Sequence, residues 1–120
     1  MISLVRSFLV VEAAAFGLAA LVHAGVLAHG YEHWKAATAE SVIGAVLLVG
    51  LLVTFANPHS SRTAGLAAQG FALLGTCVGL FTIAIGVGPR TVFDLVLHAF
   101  FVVTLIVGLV LVARGVSAPA

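Results

Sequence analysis

The chain's 120 residues are 62% hydrophobic and only 8% charged, with a mean hydropathy of +1.29, which excludes a soluble globular domain. A formal net charge of +1 offers no basic surface for nucleic acid, and a single cysteine, Cys77, excludes an intrachain disulfide or a CxxC pair. A hydrocarbon core about 30 Å thick takes roughly 20 apolar residues per helix, so the expected fold is an all-α bundle of four transmembrane helices. It forms one membrane domain over residues 1–120, with no soluble domain beside it.

The first span is predicted over residues 7–28. Arg6 precedes it, Glu12 and His23 interrupt it, and it stops at "HGYEHWK", where Gly30 can serve as the C-cap. "VHA" before Gly25 loosely resembles a signal-peptidase site, yet the apolar part is longer than a signal core, so the segment is expected to be retained. The second span, residues 36–56, ends at Asn57-Pro58, because the residue before proline is pushed out of the α region. Ser60 or Ser61 can cap the next helix.

The third span, residues 63–86, carries "GTCVG". Its Gly75-xxx-Gly79 spacing lets two helix backbones approach closely in lipid, so both glycines are expected against another helix. Cys77, in the same stretch, reads as a small buried core residue. "GVGPR" makes the following turn, and the fourth span, residues 91–113, precedes Arg114 and the tail "GVSAPA".

With the termini inside, Arg6, Arg62 and Arg114 face the cytoplasm against Lys35 and Arg90 outside, which favours cytoplasmic termini. Four crossings then place the end of span one and the starts of spans two and four on one outer side. At about 1.5 Å per residue, His23 lies roughly 8 Å below the outer end of its helix and His98 about 11 Å below the start of span four. His23, Glu40, Asp94 and His98 can therefore converge on an outward pocket, with His29, Glu32 and His33 at its rim and Arg90 pairing with Asp94. His23 and His98 are expected to face inward and either hydrogen-bond or share one ligand.

Each residue also has a structural reading. Thr91-xx-Asp94 has the spacing of a capping box, and Glu40 sits where a helix dipole favours an acid. His29, Glu32 and His33, beside Tyr31 and Trp34, fit an interfacial loop. His23 and His98 can satisfy each other, although an ionisable group inside a span is a functional candidate by default. Glu12 precedes His23 by about three helical turns, so both point to one face. A carboxyl there needs a partner or a proton. Gln69, at similar depth in span three, is the expected partner, either as structural glue or as a stepping point for protons.

"HAGVLAHGYEHWK", then "ESVIGAVLLVGLL", a short turn and "GLAAQGFALLGTCVGLFTI" together resemble DoxX-like four-helix membrane proteins. The family pattern places a lysine nearer the end of the first span, whereas Lys35 here follows a histidine-rich insertion. The resemblance implies a small bundle that partners redox enzymes, among them a quinone-reducing oxidoreductase, and carries over no catalytic residues. The leading expectation is thus an accessory subunit of a redox or energy-transducing membrane complex, without catalytic activity of its own, in a bacterial inner membrane. Three alternatives remain: a haem b protein with His23 and His98 as axial ligands, a divalent-metal site of His23, His98, Asp94 and Glu40, or a proton- and quinone-handling subunit using Glu12 and His23.

Overall fold

A backbone surrounded by lipid must satisfy its own N–H and C=O groups, and helices do so within one segment. The computed structural model describes residues 1–115 and contains α1 (Ile2–His23), α2 (Trp34–Ala56), α3 (Ser61–Ala84) and α4 (Val92–Arg114), with a 3-10 turn at Pro58–Ser60 and no strand among the described residues. Residues 116–120 of the expected tail lie outside them. All four helices are long and apolar enough to cross a membrane, the arrangement of a multi-pass integral membrane protein. The long axis, 42 Å, matches a bilayer with its headgroup regions. The helices follow one another around the bundle, and α4 closes it against α1. Both described termini and the α2–α3 turn share one end, called here the termini end; the other two connections form the loop end.

The helix boundaries have local causes. α1 ends at His23 rather than Ala28, because the left-handed residue that closes the helix is Gly25, with Gly30, also at positive φ, lying in the loop beyond it. Gly25 has φ +77°, and the Gly25 and Val26 N–H groups donate to Val22 O and Leu21 O, closing a Schellman motif. A Cβ on Gly25 would also lie 2.9 Å from Glu32 Cγ. α3 ends in the same way at Gly86, φ +86°, with Val87 N–H donating to Thr82 O. α2 stops before Asn57-Pro58 as its sequence predicts, and Ser60 takes the N-cap position of α3 without a side-chain cap bond. Thr91 and Asp94 form the predicted capping box of α4.

Arginines close three helix C-termini. Arg6 donates to Thr54 Oγ1 and Thr54 O of α2, Arg62 to Val112 O and Ala113 O of α4, and Arg90 to Ile83 O and Ala84 O of α3. Terminal carbonyls carry the negative end of the helix dipole, so each cation meets charge and acceptor together. Arg90 is therefore engaged with α3, and the expected Arg90–Asp94 pair is not formed.

The two helical hairpins repeat one packing pattern. Buried Glu40, Ile43, Leu47, Gly50 and Thr54 of α2 correspond in order to His98, Phe101, Leu105, Gly108 and Val112 of α4. Val5, Leu9, Glu12, Phe16 and His23 of α1 correspond likewise to Gly65, Gln69, Ala72, Thr76 and Ile83 of α3. Contacts follow the same rule: a Cβ on Gly50 would meet Ala68 and Leu9, and one on Gly108 would meet Phe8 and Gln69. Gly75 packs against Ile43 and Gly79 against His98, so both glycines face helices as expected. Cys77 is exposed, not buried, since Thr76 takes the inward position beside it.

Candidate functional site

His23, the last residue of α1, is 1% exposed at the loop end. Its Nδ1 lies 2.7 Å from Glu40 Oε2 of α2 and its Nε2 lies 2.7 Å from Asp94 Oδ1 of α4. One imidazole thus joins three helices through two buried carboxyls. Each N···O contact needs one proton; with those two protons alone the trio carries a net charge of −1 wherever they sit. Asp94 Oδ2 accepts from the backbone N–H and the hydroxyl of Thr91 at the positive end of the α4 dipole, which stabilises that charge. Asp94 is therefore both the helix cap and a partner of His23.

His98 lies one turn deeper. Its Nδ1 is 2.7 Å from Asp94 O, a carbonyl that can only accept, so Nδ1 carries a proton. Nε2 of the neutral ring is then a bare acceptor. It faces Gly79, where an added Cβ would stand 3.2 Å away. His23 and His98 do not bond to each other; both bond to Asp94, one through its carboxyl and one through its carbonyl.

Glu40, His98 and Thr76 face a pocket of about 140 Å³ between α2 and α3. Its walls include Ile43, Gly75 and Gly79, and stacked Phe16 and Phe101, with ring centroids 3.9 Å apart, close its deep side. Lys35, His33 and the Val87–Gly88–Pro89 turn border it at the loop end. The Thr76 hydroxyl donates to Ala72 O, leaving its lone pairs as acceptors. With a neutral His98, the deep polar groups of this pocket all accept hydrogen bonds.

The rim is held by its own bonds. His33 accepts from Ala36 N–H at Nδ1 and donates from Nε2 to Val87 O, tying the two loops together. Glu32 accepts from Gly30 N–H at 2.8 Å, and its own backbone N–H, followed by that of Gly30, holds its carboxyl below the usual range. His29 stands 3.4 Å from Glu32 in the same exposed loop.

Glu12 and Gln69 form a second buried pair, Gln69 Nε2 donating to Glu12 Oε1 at 2.9 Å, as their depth predicts. Phe16, one turn toward the loop end from Glu12, stacks on Phe101 between this pair and the loop-end cluster.

A bis-histidine haem needs a free nitrogen on each ring. Both nitrogens of His23 are engaged by carboxyls, so His23 and His98 do not present that pair of axial ligands. Among the described residues, no group of three or more His, Cys, Asp or Glu side chains is placed to hold a metal ion. Comparison with protein-family models, curated proteins and solved structures finds no match to the chain.

Proposed function

We propose that the chain is an accessory subunit of a membrane redox assembly, binding a hydroxylated ring compound of the quinol class and passing its protons to the loop end. The observation that carries this reading is a hydrogen-bonded line from the pocket to solvent: Glu40, His23, Asp94 and the exposed Thr91. Glu40 gives Oε2 to His23 and has Oε1 for a ligand hydroxyl. His98 Nε2 offers a second acceptor, and the aromatic floor suits a flat ring. A proton accepted by Glu40 can displace one from His23 to Asp94, and Thr91 marks the exit. The redox step itself belongs to the partner.

An accessory role also agrees with the face of α1 and α2 where Gly17, Gly44, Ala14 and Ala45 line an open groove, since small residues favour helix–helix packing in lipid. The DoxX-like features of the sequence agree with the same setting in a bacterial inner membrane, and the placement of Arg6, Arg62 and Arg114 favours cytoplasmic termini. Titration calorimetry of the detergent-solubilised protein with a short-chain benzoquinol tests the proposal. His98→Leu and Gly79→Ala should each weaken binding roughly tenfold, about 1.4 kcal/mol. The oxidised quinone, which lacks hydroxyl donors, should bind more weakly than the quinol. Absence of quinol binding by the wild-type chain, or unchanged affinity in both variants, would sink the reading.

A further inference from the structure

Glu12 and Gln69 are 2% and 0% exposed, and two of their polar atoms, Glu12 Oε2 and Gln69 Oε1, have no hydrogen-bond partner among the described residues. Both orphaned atoms are acceptors when the acid is ionised, and they sit on the free ends of two planar groups already joined by one bond. A buried acceptor without a donor is costly, and an unpaired carboxylate in this setting is costlier still. Turning the amide over does not help, because it places Gln69 Oε1 against Glu12 Oε1, acceptor against acceptor.

Among the described residues, no cation pairs with Glu12. Arg6, on the same helix, directs its guanidinium to Thr54. α4 presents Gly108, whose bare backbone makes the room: an added Cβ would run into Gln69 Nε2 and lie 3.0 Å from Glu12 Oε1. The loop-end groups His23, Glu40, Asp94 and His98 stand beyond the Phe16–Phe101 stack. A bound hard metal ion would require about six oxygen ligands, whereas two are orphaned here.

We propose that Glu12 and Gln69 form a proton-binding site within the bundle, in which one proton between Glu12 Oε2 and Gln69 Oε1 closes a two-bond acid–amide ring. The proton satisfies both orphaned atoms at once and leaves the pair neutral. It requires no water and no further side chain. The site is independent of the loop-end pocket, and it locks α1 to α3 across the bundle beneath Gly108.

Infrared difference spectroscopy between wild type and Glu12→Gln at neutral pH tests the proposal. The expected difference is a carboxylic-acid C=O band belonging to wild type; carboxylate bands in its place would overturn it. Thermal unfolding supplies a second reading, because glutamine offers one donor and one acceptor in the acid's pattern. Glu12→Gln should melt with wild type, while Gln69→Leu should melt lower. A marked rise for Glu12→Gln would mean that a buried charge had been relieved, and a fall as large as that of Gln69→Leu would mean that no ring exists; either outcome overturns the proposal.

Discussion

His23 bonds through both ring nitrogens to carboxyls on two other helices, whereas His98 commits one nitrogen to a carbonyl of its own helix and turns the other toward the pocket. Their removal should therefore differ in cost. His23→Leu leaves Glu40 and Asp94 buried without the donor between them, a loss on the scale of breaking a buried ion pair, about 3–5 kcal/mol. His98→Leu removes one local hydrogen bond, on the order of 1 kcal/mol in a membrane protein. Reversible unfolding in mixed micelles checks the ratio, and equal losses would show that His23 is not what joins the three helices. The common depth of these residues was legible because spans alternate direction and helices rise regularly. Which nitrogen meets which oxygen was not. Depth counting treats His23 and His98 alike, and only the carbonyl of Asp94 against its carboxyl tells them apart. The Arg90 misassignment has a similar source: Asp94 is near in sequence, but the carbonyls ending α3 are the acceptors that the folded turn presents.

At the level of elements, the capping box at Thr91 and Asp94 and the stop at Asn57-Pro58 were readable, since both act through neighbours in the chain. Facing directions were harder to read. In a soluble helix a polar face marks solvent, but lipid is as apolar as the core, so Cys77 and Thr76 give no contrast that reveals which is inside. Glycines carry more information. Gly108 and Gly50 occupy equivalent positions of the two hairpins, and a Cβ on either would collide with a facing helix. A Cβ on Gly17 would meet nothing within 4 Å. Gly108→Ala should therefore destabilise by about 1–3 kcal/mol, the usual cost of overpacking. Gly17→Ala should be neutral or stabilise by up to about 1 kcal/mol, because alanine is the better helix former. Thermal unfolding of the two variants in one detergent checks the contrast, and a matching loss in Gly17→Ala would show that this face is occupied by a partner.

For the whole molecule, the two ends of the bundle are chemically unlike. At the termini end, Arg6 and Arg62 are tied to helix carbonyls, while the loop end gathers the carboxyl–histidine cluster, the pocket mouth and exposed Trp34, an interfacial residue type. Orientation decides what the cluster can do, because under the proposed function protons would leave at Thr91 on whichever side the loops face. Lysine and arginine placement, three positive charges against two, favours cytoplasmic termini, and labelling from either side of the membrane tests it. In a Cys77→Ser background, His29→Cys places a thiol on the exposed loop-end rim and His59→Cys places one in the α2–α3 turn. A membrane-impermeant maleimide applied to intact cells should label the first at once and the second only after permeabilisation. The opposite pattern would leave every internal distance unchanged, yet it would reverse the direction of the proposed proton release and place the pocket's loop-end border in the cytoplasm.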